Sequence, residues 1–170
     1  MVNNPTIYLA GAIRDNRPED IAWRERFIES LDGYASFLNP LAGKWRDERG
    51  VWLMSGRVAS AQRIVPQDLW CVRRADIVIA NFSSFADNYP SIGTVMEVGA
   101  AAALNKLIYA IVKPGTGMTS NPKNFTLHPF IAELCADVFE NEDAALDFLK
   151  DHLRTLNGMS PSCLEPVALP

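Results

Sequence analysis

Three segments of the sequence carry charged side chains at positions where they could act on a ligand. The loop 11–17 offers Arg14 and Arg17, and guanidinium groups bind phosphate and carboxylate groups well. Asp68 and Glu97 supply two carboxylates farther along the chain. Carboxylates serve enzymes as proton carriers and as nucleophiles. The two arginines fit an exposed surface equally well, so the residue types alone leave their role open.

Both acids also have structural interpretations at the ends of helices. If Pro66 begins a helix, Asp68 lies in its first turn, where the helix dipole stabilises a negative charge. The spacing Thr94-x-x-Glu97 matches a capping box, in which the glutamate accepts a hydrogen bond from a backbone N–H. The local pattern is compatible with a structural or a functional role for each acid.

Several classes of site are disfavoured. The first loop has one glycine, Gly11, and matches neither a dinucleotide fingerprint nor a phosphate-binding P-loop. The three cysteines, Cys71, Cys135 and Cys163, are widely spaced, and the chain has two histidines. This spacing fits buried free thiols better than a zinc site. We therefore expect no metal and no cofactor.

The chain alternates between strand and helix patterns. Short apolar runs predict strands, and apolar residues at helical spacing predict helices. The loops 82–90 and 113–127 are polar, the segment 41–56 is irregular, and Pro66 either interrupts a helix or begins a second one. The predicted strands are 6–11, 34–38, 76–81, 107–112 and 137–139, and the predicted helices are 21–31, 59–74, 93–104 and 143–156, with one helical turn at 130–134.

This alternation predicts an α/β fold with a flavodoxin-like, doubly wound, five-stranded parallel sheet in a single domain. We place the domain at residues 1–156 and a tail without clear structure at 157–170. Ligands of such sheets bind beyond the carboxyl ends of the strands, where the strand order reverses. The loops after Ala10, Ala80 and Ile111 are therefore the expected positions of a site.

Composition narrows the expected partners. The 170 residues are 48% apolar and 21% charged, which suits one globular domain. The net charge of −4 and the lack of a dense basic stripe disfavour nucleic-acid binding. No apolar run approaches the roughly 20 residues that cross a bilayer, and the first residues do not read as a signal peptide. We expect a cytoplasmic protein without a membrane partner.

Taken together, the candidate segments resemble the nucleoside 2-deoxyribosyltransferase family over residues 6–148. The matching motifs are Ile7-Tyr8-Leu9-Ala10-Gly11, then Asp68-Leu69 with Ala75-Asp76-Ile77-Val78-Ile79-Ala80, then Gly93-Thr94-x-x-Glu97-x-Gly99-x-Ala101 with Asn105-Lys106. The family fold is the flavodoxin-like sheet predicted above. The resemblance implies three catalytic residues: Glu97 as the nucleophile on the anomeric carbon, Asp68 for the proton of the departing base, and Tyr8 as a hydrogen-bond partner near the nucleophile.

This division of labour is chemically reasonable. A carboxylate captures the oxocarbenium-like sugar, while a second group protonates the leaving base, as in retaining glycosidases. One group must be ionised while the other holds a proton, so their pKa values should differ. Tyr8 has a structural alternative as a core tyrosine whose hydroxyl reaches water.

The resemblance also implies substrate-binding residues, namely Gly11, Ile13, Arg14, Asp76, Ser91, Gly93, Thr94 and Asp137. Ser91 stands where transferases often have aspartate. The related 2′-deoxynucleoside 5′-monophosphate N-glycosidases have a phosphate-binding serine there and an Ile-Arg pair resembling Ile13-Arg14. Ala12 instead replaces a phosphate-binding serine, and Asp137 matches a transferase residue that reaches a neighbouring subunit's substrate. These residues divide between the two branches.

We therefore predict an enzyme that transfers 2-deoxyribose from a nucleoside to a free base through a covalent Glu97 intermediate. The alternative is a 5′-monophosphate N-glycosidase that uses the same glutamate, and a third interpretation is a non-catalytic nucleotide-binding module. Trp45, Trp52 and Phe85 either stack on a base or fill the core. The expected partners are a nucleoside or nucleotide, a free base and further copies of the chain, as a dimer or higher homo-oligomer.

Overall fold

The computed structural model describes residues 4–14, 18–83, 91–113 and 127–158. Predictions that fall on Arg17, Phe85, Cys163 and residues 159–170 lie outside the described residues. In chain order the elements are β1 (Thr6–Gly11), α1 (Glu19–Ser30), β2 (Ser36–Leu38), β3 (Lys44–Arg46), β4 (Trp52–Met54), β5 (Arg57–Val58), α2 (Ala61–Arg74), β6 (Ile77–Asn81), α3 (Ile92–Ala103), β7 (Leu107–Ile111), α4 (Pro129–Ala132), β8 (Asp137–Phe139) and α5 (Glu142–Gly158).

Five strands form a parallel sheet in the order β2-β1-β6-β7-β8. The chain moves outward from β1 to β2 and then returns to the other side of β1 through β6, so the strand order reverses between β1 and β6. This is the arrangement of a doubly wound α/β domain, and the predicted fold class is confirmed. The crevice at the carboxyl ends of β1 and β6 is the expected place for a site.

The two faces of the sheet bury separate apolar clusters because neighbouring side chains on a strand alternate in direction. One face carries Tyr8, Ala10 and Ala80 and packs against α2, α3 and α4. The small alanines allow α3 to lie close to the strands. The other face, which includes Leu9 and Ile79, packs against α1 and α5.

The segment 41–56, predicted as irregular, contains two of the three strands of a second sheet. Strands β3, β4 and β5 pair antiparallel in that order. Glycines with positive φ, Gly43, Gly50 and Gly56, stand before or between these strands, where a left-handed backbone favours glycine. The strands are two or three residues long, too short to show an alternating pattern.

Helix α2 runs without a break through Pro66, so both interpretations of Pro66, as an interruption of the helix and as the start of a second helix, are wrong. Asp68 is the eighth residue of α2 and lies beyond the first turn. The helix dipole therefore does not explain the presence of Asp68, because that effect is confined to the terminal turn.

The capping-box interpretation of Glu97 is also wrong. The N-cap of α3 is Ser91, whose Oγ accepts a hydrogen bond from the Thr94 backbone N–H at 3.4 Å. Thr94 is thus inside the helix, and Glu97 follows in the second turn. Its side chain is available for a contact outside the helix. None of the helices in the described part of the chain is long and apolar enough to cross a membrane.

Candidate active site

A tyrosine and a glutamate from distant parts of the chain meet on one face of the sheet. The Tyr8 hydroxyl on β1 donates a hydrogen bond to Oε1 of Glu97 on α3, with an oxygen–oxygen distance of 2.6 Å. Such short distances are typical of an O–H donating to a carboxylate. Tyr8 is fully buried and Glu97 is half-buried. The partner of the buried hydroxyl is therefore a carboxylate and not water.

Asp68 and Lys44 form an ion pair near this hydrogen bond. Lys44 Nζ lies 3.3 Å from Asp68 Oδ1, and the side chains are 5% and 15% exposed, respectively. The charge of Asp68 raises the pKa of both Tyr8 and Glu97, which places all three groups within electrostatic reach of one another. The structure thus brings together the three residues predicted to be catalytic and adds a lysine that the sequence had not singled out.

The environment shifts the pKa values of both acids upward. Burial raises the pKa of Glu97 to about 7, and Asp68 contributes in the same direction, while the Tyr8 hydrogen bond and the charges of Arg24 and Lys44 oppose the shift. Burial also raises the pKa of Asp68, and Lys44 opposes that rise. Glu97 therefore titrates near neutral pH, in the range where a small change in its surroundings changes its charge.

Arg24 is a second functional candidate that sequence reasoning missed. Its side chain is fully buried beneath the loop that follows β1. The guanidinium donates to the carbonyl oxygens of Leu9 at 3.2 Å, Gly11 at 2.7 Å and Ala12 at 3.4 Å, and also to that of Asp20. Burial lowers its pKa to about 10, so it stays charged at neutral pH. In the sequence, Arg24 lies on a helix with an amphipathic pattern, and that pattern does not predict that the Arg24 side chain is buried against the loop.

The predicted ligand loop after β1 is held by two further contacts. Asp20 accepts from Arg14 Nε at 2.8 Å and Nη2 at 2.9 Å, and its own side chain is fully buried. A Cβ on Gly11 would lie 3.1 Å from both Arg24 Nη2 and Trp23 Cζ2. A side chain at position 11 would thus force Arg24 or Trp23 of α1 to shift. The charge of Arg14 is offset by Asp20.

A cavity of about 200 Å³ adjoins the ion pair. It is lined by Ile13, Leu41, Lys44, Trp52, Ala59 and Ile64. Ile13 comes from the loop after β1, while Lys44 and Trp52 come from the antiparallel sheet. The structure therefore places Ile13 and Trp52 in one cavity, whereas Trp45 is 46% exposed.

The other predicted residues of α3 lie at its start, one turn before Glu97. Thr94 is buried, and its Oγ1 lies 3.0 Å from Ser91 Oγ. Gly93 is exposed, and a Cβ there would meet open space apart from Ser91 Oγ at 4.0 Å. Ser91, Gly93 and Thr94 therefore lie at the N-terminus of the helix that carries Glu97.

The structure does not bring Asp76 and Asp137 to this cluster. Asp76 precedes β6 at the opposite end of the sheet, where its Oδ2 accepts from the Thr6 backbone N–H at 2.8 Å. Asp137 begins β8 and pairs with Tyr109, whose ring packs on the other face of the sheet. Within one chain, Asp76 supports a strand and Asp137 faces away from Glu97. The described residues contain no group of three or more His, Cys, Asp or Glu side chains that could hold a metal ion.

The hydrogen bond from Tyr8 should lower the pKa of Glu97, because it stabilises the ionised carboxylate. In Tyr8→Phe we expect the Glu97 pKa to rise above its value of about 7. Carboxyl ¹³C NMR titration measures it directly. Tyr109→Phe, which alters a buried tyrosine on the opposite face, is the control and should leave the titration unchanged. A Glu97 pKa that falls or stays constant in Tyr8→Phe would contradict this assignment.

A doubly wound α/β domain with a buried tyrosine–glutamate pair and a second carboxylate at the strand-order reversal has the parts of an N-glycoside-cleaving enzyme. The family model for nucleoside 2-deoxyribosyltransferase matches residues 7–146. The chain belongs to the nucleoside 2-deoxyribosyltransferase family. Enzymes of this family are N-deoxyribosyltransferases or N-glycoside hydrolases.

Two mammalian N-hydrolases are similar to part of this chain. The 5-hydroxymethyl-dUMP N-hydrolase of Homo sapiens is 31% identical over 115 residues, which are 66% of this chain and 60% of that protein. The Mus musculus 5-hydroxymethyl-dUMP N-hydrolase is 33% identical over 113 residues, again 66% of this chain and 60% of the relative. The match thus spans about 60% of the length of these relatives.

Solved structures with low sequence identity share the fold. A 2-desoxiribosyltransferase from Leishmania mexicana superposes with a TM-score of 0.60 at 22% identity, covering 87% of this chain and 98% of that chain. A CMP N-glycosidase from Clostridium botulinum gives a TM-score of 0.54 at 18% identity, covering 86% and 98%, respectively. These similarities support the fold assignment.

Proposed function

We propose that this protein is a nucleoside 2-deoxyribosyltransferase that cleaves the N-glycosidic bond of a 2′-deoxynucleoside and transfers the sugar to a second base. The observation that carries the proposal is the 2.6 Å hydrogen bond between Tyr8 and Glu97, with Asp68 close by. A non-catalytic nucleotide-binding module would not need a nucleophile held in this way. Family membership supports the same chemistry.

The proposed reaction has two steps of the retaining type. Oε of ionised Glu97 forms a bond to C1′ while the C1′–N bond breaks and its electron pair passes to the base. Tyr8 holds the Glu97 carboxylate in position. Asp68 reacts in its protonated form, which burial favours, and gives its proton to the departing base. In the second step, a nitrogen of the incoming base attacks C1′ and releases Glu97, and the proton returns to Asp68.

Two features of the first loop favour a substrate with a free 5′-hydroxyl. The guanidinium of Arg14 is bonded to Asp20 through two nitrogens, so its charge is already offset. Ala12 stands where the monophosphate branch has a phosphate-binding serine. A sugar 5′-hydroxyl requires no positively charged partner, whereas a 5′-phosphate does. The loop after β1 therefore suits a 5′-hydroxyl better than a 5′-phosphate.

Hydrolysis of a 2′-deoxynucleoside 5′-monophosphate through the same glutamate is the second candidate function. It is favoured by the names of the similar mammalian proteins, which are N-hydrolases of a deoxynucleoside monophosphate. Ser91 also fits that branch, and its position at the N-terminus of α3 suits an anion.

A product assay separates the two candidates. The protein is incubated with 2′-deoxyinosine or 2′-deoxyadenosine plus a free second base, and separately with the 5′-monophosphates. The proposal predicts a new deoxynucleoside that contains the second base. Free base plus 2-deoxyribose 5-phosphate would instead support the hydrolase. A lack of turnover on every deoxy and ribo substrate would contradict both.

We also propose that the protein forms a homodimer or a higher homo-oligomer. Apolar side chains are exposed on the helices over the Tyr8 face: Val65 and Trp70 on α2, Ile92 and Met96 on α3, and Phe130 on α4. A second copy of the chain would remove this surface from water. Light scattering should give at least twice the monomer mass for the wild type and a lower mass for the Ile92→Lys and Phe130→Lys double variant. A monomeric wild type would contradict the proposal.

A further inference from the structure

Lys44 has no assigned role, although it lies nearly buried beside the proposed proton donor. Its side chain is 5% exposed, and its Nζ is 3.3 Å from Asp68 Oδ1. The three-stranded antiparallel sheet positions Lys44, since this residue begins β3 and pairs with Met54 on β4. Removing an ammonium from water is costly, so a buried lysine needs compensating partners. Its charge also lowers the pKa of Glu97, so Lys44 is within electrostatic reach of both proposed catalytic acids.

The cavity that Lys44 adjoins has the character expected of a site for a flat heterocycle. Its described lining consists of five apolar side chains, Ile13, Leu41, Trp52, Ala59 and Ile64, and the single charged side chain of Lys44. A nucleobase has apolar faces and a polar edge of ring nitrogens and carbonyl oxygens. A predominantly apolar cavity with a few polar groups that fix orientation is the usual form of a small-molecule site. Lys44 is the group that can meet the polar edge.

We propose that Lys44 is a leaving-group residue: its ammonium donates a hydrogen bond to an acceptor atom of the departing base and stabilises the Asp68 carboxylate formed in the same step. This inference rests on the proposed function and assigns it a further catalytic residue. Lys44 keeps its three protons throughout. The C1′–N electron pair goes to the base nitrogen, Glu97 Oε bonds to C1′, and the proton of Asp68 moves to the base, leaving an Asp68 carboxylate bound to Lys44.

The proposal predicts a dependence on leaving-group quality that a merely structural lysine would not show. Lys44→Met is compared with wild type on a 2′-deoxynucleoside substrate and on its ring-fluorinated analogue, whose base departs more readily as an anion. We expect kcat/KM to fall about 10- to 100-fold on the first substrate, the amount expected for losing a hydrogen bond from a charged group, and clearly less on the second. Full pH profiles are measured and the rates are compared at the optimum of each enzyme, because the charge of Lys44 lowers the pKa of both Glu97 and Asp68.

Matched variants keep the test decisive. Lys150→Met changes a half-buried lysine of α5, on the opposite face of the sheet, and should match wild type. Lys44→Arg retains the charge and should restore part of the rate, even if Lys44→Met is poorly folded. Equal losses on both substrates, unchanged kinetics, or weaker binding of nucleoside monophosphates as the sole effect would overturn the proposal. If wild type lacks glycosidic cleavage altogether, the proposed function fails first, and a fully active Glu97→Ala overturns the nucleophile assignment independently of Lys44.

Discussion

Glu97→Ala should lose turnover by about 10⁴-fold or more, because removal of a nucleophile abolishes the covalent route and leaves binding alone. The fold should persist, since Glu97 is half-buried on α3 and the core under that helix is built by Val98 and Ala101. Initial rates of base release measure the first effect, and the melting temperature and circular dichroism measure the second. Glu29→Ala, an exposed glutamate of α1, serves as the control and should retain wild-type rates. Similar rates for Glu97→Ala and wild type would mean that Glu97 is purely structural.

The same residue should set the acidic limb of the pH profile. Burial raises the pKa of Glu97 to about 7, and only the ionised form is a nucleophile. Activity should therefore be lost as the pH falls through this pKa, and above it activity should last as long as Asp68 still holds its proton. We expect kcat/KM to decrease about tenfold for each pH unit below about 7. A limb centred near pH 4.5, the ordinary value for glutamate, would contradict the burial argument.

Asp68→Asn should lower kcat by about 10²- to 10⁴-fold, the usual contribution of a positioned general acid. Asparagine has a similar shape but no proton to give, so the loss reports proton transfer rather than packing. The measurement is single-turnover base release, with Asp147→Asn on the exposed side of α5 as the control. The deficit should shrink when the leaving base is a stable anion. An Asp68→Asn enzyme with wild-type kcat on a poor leaving group would exclude Asp68 as the acid.

The sequence predicted the parallel sheet well because its signals are strong and local. Apolar runs such as 77–81 are buried on both faces and read as central strands, and the small residues of α3 explain its close approach to them. The three proposed catalytic residues were also singled out from sequence, through motifs that lie on separate elements. Their meeting, and above all the bond between Tyr8 and Glu97, required the tertiary structure.

The features that the sequence did not predict have physical causes. Strands β3, β4 and β5 are too short to carry a period-two pattern. The sequence therefore did not predict the antiparallel sheet that positions Lys44. Proline usually breaks a helix because it lacks a backbone N–H and its ring clashes with the preceding turn. Helix α2 nevertheless continues through Pro66, which the local sequence does not predict. Arg24 sits on a helix where charged residues normally face water, and only the loop carbonyls that surround it show why it is buried.

The central claim is a covalent bond between Glu97 and C1′ of the sugar, and mass spectrometry of the trapped enzyme tests it most directly. The protein is mixed with a 2′-deoxynucleoside that carries a 2′-fluorine, which slows release of the sugar, and is then acid-quenched and digested. We predict one added sugar residue on the peptide that contains Glu97, and no such adduct in Glu97→Ala. A sugar adduct on a different residue, or continued turnover with inversion at C1′ and no adduct, would contradict the account.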